Sequence, residues 1–168
     1  MIPLAAAAVV ALASALPPFT TGAKTSPSSG SQATLSSAAA GCHATYDRFV
    51  LRVGSGGKPG YDVRYVGTVY QDGSGFRVPL RGGAKLQIVV RAPAYDISTG
   101  KPTYTPNNPK ELSNVTGYST FRQVAFAGSF EGQTTIGLGV RARLPFRVFT
   151  LAGPGSASRL VVDVAHHW

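Results

Sequence analysis

Beyond Tyr46 the chain alternates apolar and polar residues in short runs, divided by breaks rich in Gly and Pro. Phe49, Leu51 and Val53 alternate with Arg48, Val50 and Arg52, and the Gly-rich stretch 54–60 then supplies a turn. Tyr61, Val63 and Tyr65 alternate with Asp62 and Arg64, and the run continues toward Val69 and Tyr70 until Asp72-Gly73-Ser74-Gly75 ends it. Residues 76–80, with Pro79 suggesting an edge position, turn through Arg81-Gly82-Gly83 into 86–90, a candidate hairpin. Further strands are expected over 121–126, with a turn at Ala127-Gly128, and over 134–143, 146–151 and 158–164. Residues 47–53 and 158–164 share one pattern, an Arg followed by β-branched and large apolar residues, so the domain is expected to open and close with strands packed into one core. This periodicity predicts an all-β domain over residues 42–168, sandwich-like or small-barrel-like, with about seven to nine short strands.

One segment does not fit the pattern. Residues 92–117 carry Pro93, Pro102, Pro106 and Pro109 with Asn107-Asn108, longer than a compact domain leaves without a purpose. The segment is expected to be functional or a covering flap, with Lys110-Glu111-Leu112 opening a short helical turn.

Upstream, the uncharged apolar run from Ile2 to Leu16 has the length of an export-signal core and is too short for a comfortable membrane span. Residues 1–23 are therefore read as a signal peptide, with Ala13-Ser14-Ala15 and Thr21-Gly22-Ala23 as candidate cleavage motifs. Residues 24–41, mostly Ser, Ala, Thr, Gly and Gln, have too little apolar surface to offset their ordering entropy and read as a flexible linker. The mature protein is expected outside the cytoplasm, secreted or held at the cell envelope, with no stable transmembrane span.

Charge narrows the class of partner. The formal net charge is +9, and all but one of the 16 Lys and Arg lie in residues 42–168 with all seven Asp and Glu. Eleven of the basic residues are Arg, whose planar fork pairs with carboxylate and phosphate. An anionic partner follows; nucleic acid, acidic lipid and an anionic cell wall all satisfy the charge, and the export signal argues against nucleic acid. No basic helix or aromatic RNA-binding signature is present.

Candidate chemistry is sparse. No Gly-x-Ser-x-Gly elbow and no His-Glu-x-x-His pair occurs, and Gly54 to Gly57 lacks the Lys-Ser/Thr ending of a phosphate loop. Cys42-His43 and His166-His167 would meet if the first and last strands were antiparallel neighbours, but nothing else in the sequence supports a metal set. No catalytic residue, metal or cofactor is expected; Cys42, the only cysteine, is read as a buried thiol or an intermolecular link. The basic and aromatic residues offer two readings. Tyr61, Tyr65 and Tyr70 could present flat faces while Arg141, Arg143 and Arg147 supply cationic forks, or the Tyr row could face the core with its hydroxyls at the rim and the Arg row could be a solvated sheet face.

Five segments, in order, carry a family resemblance: Tyr46-Asp47-Arg48-Phe49-Val50-Leu51, Pro59-Gly60-Tyr61-Asp62-Val63-Arg64-Tyr65, Ser129-Phe130-Glu131-Gly132, Phe146-Arg147-Val148-Phe149-Thr150-Leu151 and Ser158-Arg159-Leu160-Val161-Val162-Asp163-Val164. Together they make residues 42–168 resemble the AMIN-like domain of exported actinobacterial proteins, a relative of the targeting domain of cell-wall amidases. The resemblance implies a β-sandwich-like, non-catalytic module that associates with peptidoglycan or another anionic cell-wall polymer. Arg48, Tyr61, Tyr65, Arg147 and Arg159 belong to the matching segments and, with Arg141 and Arg143, are the candidate ligand-binding residues. An envelope or divisome protein is the alternative partner, through the edge near Pro79 or the long loop; a small envelope hydrolase or metal-dependent enzyme, using Cys42, His43, His166 and His167 or a carboxylate pair, is a further alternative.

Overall fold

The computed structural model describes residues 15–54 and 56–168. The described residues form eleven strands and no helix: β1 (Lys24–Ser26), β2 (Leu35–Cys42), β3 (Tyr46–Val53), β4 (Tyr61–Val66), β5 (Val69–Tyr70), β6 (Arg77–Val78), β7 (Ala84–Val90), β8 (Phe121–Phe130), β9 (Gln133–Val140), β10 (Phe146–Ala152) and β11 (Ser158–Ala165). A five-stranded sheet, β1-β4-β7-β9-β8, lies against a four-stranded sheet, β10-β11-β3-β2, and β5-β6 form a small hairpin apart from both. Every pairing is antiparallel. The all-β, sandwich-like expectation holds; no sheet closes into a barrel.

Alternation decides which face of each strand is inside. In β3, Phe49, Leu51 and Val53 are buried while Arg48, Val50 and Arg52 point the other way. In β11, Leu160, Val162 and Val164 face the same core. The other sheet contributes Val63, Leu86, Ile88, Val90, Ile136 and Leu138, and Phe49, Phe121 and Phe146 fill the centre. Each such side chain contributes about 1.5–3 kcal/mol by leaving water. The two segments that share the Arg-led pattern, β3 and β11, are direct neighbours over eight residue pairs.

The structure corrects several expectations. Residues 24–41 are not a linker: β1 pairs with β4, and β2 pairs with β3 from Leu35 to Cys42. Composition undercounted this segment because its ordering is repaid by ladder hydrogen bonds and by burial of only Ala33 and Leu35. Upstream of it, Thr20 and Phe146 exchange two backbone hydrogen bonds, 3.1 and 2.9 Å, at the β10 edge. The expected signal peptide falls outside the described residues as far as Ser14.

Pro79 and Gly82-Gly83 do not make a hairpin with β7. Instead β6 turns back on β5, pairing Tyr70 with Arg77. Strand β8 does not stop at Ala127-Gly128 but runs through a bulge there to Phe130, and the turn falls at Glu131-Gly132. Lys110-Glu111-Leu112 is not helical; it lies along the outer edge of β8, with Phe126 N donating to Pro109 O at 2.7 Å and Leu112 N to Val124 O at 2.8 Å. The long loop therefore covers a sheet edge that would otherwise be open to pairing. Cys42 is exposed rather than buried.

Candidate functional site

Register builds three cross-strand rows on the outer face of the four-stranded sheet. Arg147, Asp163, Arg48 and Gly41 form the first; Phe149, Val161, Val50 and Ala39 the second; Leu151, Arg159, Arg52 and Ser37 the third. Four Arg thus share one face with a single carboxylate.

That carboxylate is fully buried. Asp163 accepts from Arg48 Nε at 2.6 Å and Nη2 at 2.9 Å, and from Arg147 Nε at 2.8 Å. The side-chain bond to Asp163 raises the already high pKa of Arg48. Aromatic rings flank the two guanidiniums: Arg147 lies 4.4 Å from the ring centre of Phe19 and 5.2 Å from that of Tyr46, and Arg48 lies 5.2 Å from Tyr46. The third row is freer. Arg159 donates to the Gly153 and Ala152 carbonyls, and Arg52 is exposed with no side-chain partner among the described residues.

The predicted candidates divide accordingly. Arg48, Arg147 and Arg159 share this face. Tyr61 and Tyr65 belong to the inward side of β4: the Tyr65 hydroxyl donates to Leu144 O at 2.6 Å, its ring meets Phe146 edge-on at 5.6 Å, and burial pushes its pKa up to about 12. Tyr61 is half-buried and burial raises its pKa too. Arg143 lies over Tyr65 at 5.4 Å; Arg141 donates to His166 O at 2.6 Å and lies 5.8 Å from the Trp168 ring. These two Arg hold the C-terminus and lie away from the row of Arg147. The core-facing reading holds for Tyr61 and Tyr65, whereas Tyr70, the third of the row, is exposed.

The histidines are divided as well. His43 stacks on Tyr46 at 4.6 Å, whereas His166 is buried with Nε2 3.1 Å from Asp47 Oδ1. Asp47 Oδ2 accepts from the backbone N–H of Thr120 (2.6 Å) and Phe121 (2.9 Å), so this one carboxylate ties the end of the long loop to the C-terminal segment. No group of three metal-ligating side chains forms among the described residues.

Sequence reasoning missed a second feature, a groove of about 520 Å³ on the outer side of the five-stranded sheet. Its walls are the extended segment after β6, with Pro79 and Leu80, and the loop at Pro109 and Lys110; Ala125 and Phe126 of β8 contribute to its lining. Two links span the walls. Buried Gln123 accepts from Arg81 N and donates to Lys110 O, both at 2.9 Å, and Arg81 pairs with Glu111 at 2.6 Å. The first wall can lie this low because β9 carries Gly137 and Gly139 on that face, where a methyl at 139 would overlap the Arg81 carbonyl oxygen. The Gly-x-Gly interruption of an apolar strand was the available signal for such a close backbone approach.

Comparison with protein families supplies the assignment: a family model, the AMIN-like domain, matches residues 33–166. The chain belongs to the AMIN-like domain family. Comparison with curated proteins and with solved structures returns no match. The match begins upstream of β2, so β2 is part of the AMIN-like domain, while Phe19, Thr20 and β1 lie before it and pack onto it. Membership suggests a cell-wall-associated targeting or binding module. No helix of the described AMIN-like chain is long and apolar enough to cross a membrane.

Proposed function

We propose that this AMIN-like domain is an extracytoplasmic, non-catalytic binding module that holds an anionic cell-wall polymer, peptidoglycan in the first instance, on the outer face of its four-stranded sheet. The observation that carries this reading is the presence of Arg48, Arg52, Arg147 and Arg159 on one face with only Asp163 to balance them. Muropeptide carboxylates or polymer phosphates are the complementary groups, and Arg52 and Arg159 in the third row are the forks best placed to reach them. A flat face of this kind gives weak, repeated contacts suited to a polymer rather than a deep pocket suited to a small substrate. The buried Asp47–His166 pair is engaged in holding the loop and the C-terminus together, which supports a module without a reaction of its own.

Cosedimentation of the protein with purified cell-wall sacculi across a salt series tests the reading. Binding is expected at low salt and should fall steeply toward 1 M, where the screening length shrinks to about 3 Å. The charge reversal Arg52→Glu, alone and combined with Arg159→Gln, should weaken it at least severalfold. Wild-type binding that is absent at low salt, or unchanged by these substitutions and by salt, overturns the proposal.

A further inference from the structure

We propose that the groove between the β6 wall and Lys110 is a second binding site, one for an extended acidic peptide segment of a protein partner. The charge around it is unbalanced in one direction. Arg77 and Lys110 line the groove, both exposed, and neither makes an ion pair among the described residues; Arg81 is already committed to Glu111. An occupant with carboxylates at this position gains two charge-assisted contacts without displacing a resident one.

The lining selects what lies between those carboxylates. Val78, Pro79, Leu80, Pro109, Ala125 and Phe126 are apolar, and both ends of the Gln123 amide are consumed in bridging the walls. Sugar hydroxyls placed against this apolar stretch would lose water and find polar partners only at Gln71, Arg77 and Lys110, whereas apolar side chains would gain from burial. The volume, about 520 Å³, lies in the range of specific ligand sites. On the β5-β6 hairpin, Tyr70 sits directly across from Arg77 and is 55% exposed, and Phe76 is 71% exposed. These rings extend the apolar surface past the groove, as an elongated occupant requires. An acidic peptide with an apolar residue at every second position satisfies both features: one side of the extended chain meets the lining and the other presents carboxylates to Arg77 and Lys110.

The groove is held in shape before any ligand arrives. The Gln123 bridge and the Arg81–Glu111 pair fix the separation of its walls, and Thr135 Oγ1 donates to Asp72 Oδ2 at 2.7 Å, fastening the hairpin to β9. It opens on the sheet opposite the Arg face, so a polymer and a protein could be held at the same time.

The test is fluorescence anisotropy of the full chain with a labelled eight-residue peptide alternating Glu with Leu. The controls are the same peptide with Leu replaced by Ser, or with Glu replaced by Lys. The Glu–Leu peptide should bind, each control should bind at least tenfold more weakly, and Arg77→Glu combined with Lys110→Glu should lower affinity at least tenfold. Arg52→Glu, on the opposite face, should leave peptide binding unchanged, and the Arg77/Lys110 variant should still cosediment with sacculi, which separates this proposal from the polymer reading. Both substituted side chains are exposed, so circular dichroism should show an unchanged fold. No binding of the Glu–Leu peptide, equal binding of the Ser control, or equal loss with Arg52→Glu overturns the site. Binding to phosphatidylglycerol vesicles with the same dependence on Arg77 and Lys110 would make it a lipid site and overturn the peptide assignment.

Discussion

Replacing Asp163 by Asn keeps the shape of the side chain and removes the one negative charge on the Arg face. Two guanidiniums then face an uncharged amide from positions where they retain only 23% and 13% of their side-chain exposure. Breaking a buried pair by removing one partner costs about 3–5 kcal/mol, and the residual hydration of Arg48 and Arg147 places this case near about 3 kcal/mol. Against a stability of about 5–15 kcal/mol that is a large fraction, and it corresponds to a fall in Tm of roughly 6–12 °C for a chain of this size. Urea unfolding followed by far-UV circular dichroism, at 0.05 and 1 M NaCl, measures it. The deficit should persist in salt because the carboxylate is out of reach of the solvent. Replacing the whole cluster, Arg48→Met with Asp163→Leu and Arg147→Met, should recover most of the loss, since an apolar cluster of similar volume removes the uncompensated charge. A deficit under about 1 kcal/mol, or one that disappears at 1 M salt, would refute the view of Asp163 as the buried keystone of this face.

Other perturbations probe separate parts of the fold. Gly139→Ala should cost about 3 kcal/mol or more by pushing the Arg81 backbone off the sheet, and should weaken Glu–Leu peptide binding; Gly137→Ala, which meets side-chain ends of Leu80 and Val69 and no backbone, should cost far less in the same urea titration. Tyr65→Phe should cost about 1 kcal/mol at pH 7 through the lost bond to Leu144 O. Because the folded Tyr65 pKa is raised from 10.0 to about 12, the unfolded chain ionises first, and this residue's contribution fades as pH rises from 10.0 toward 12. Stability curves of wild type and Tyr65→Phe should therefore converge over that window, and parallel curves would show that the hydroxyl is not buried. A chain beginning at Lys24 loses Phe19 and both Thr20 hydrogen bonds, and should be less stable by about 2 kcal/mol in thermal melts; an unchanged Tm would show that this segment is only laid against the sheet.

What was legible in the sequence was whatever alternation encodes. The inward Phe49-Leu51-Val53 and Leu160-Val162-Val164 sets, the Arg-led likeness of β3 and β11, and the all-β class all follow from a period of two. β2 was missed because Ala38, Ala39 and Ala40 give no alternation signal; the strand is held by its ladder with β3, a tertiary cause. The hairpin was misassigned because the Gly-rich turns on either side of residues 76–80 do not say which neighbour β6 will choose. Of the candidate binding residues, Arg48, Arg147 and Arg159 came together through register alone. Arg141 and Arg143, although close to Arg147 in sequence, precede β10 and attach instead to the C-terminal segment. Arg77 and Lys110 become neighbours of one groove only through the low wall that Gly137 and Gly139 permit, a contact no local pattern records.

The arrangement of charge on the Arg face separates scaffold from contact. Arg48 and Arg147 can share one row because Asp163 lies between them; without it their mutual repulsion would oppose folding of the two central strands. That same carboxylate holds both forks in fixed geometry and reduces what they can offer an anion. The third row has no such counter-ion, and Arg52 has no competing partner, so the attractive field of the face is concentrated toward the Ser37–Arg52–Arg159 end. A polymer drawn by charge should therefore lie across that end of the sheet. Substitutions in the first row should be read mainly in stability and those in the third row mainly in binding. If Arg147→Gln weakened sacculus binding as much as Arg52→Glu at equal folded fraction, that division of labour would be wrong, and the whole face would have to be treated as one contact surface.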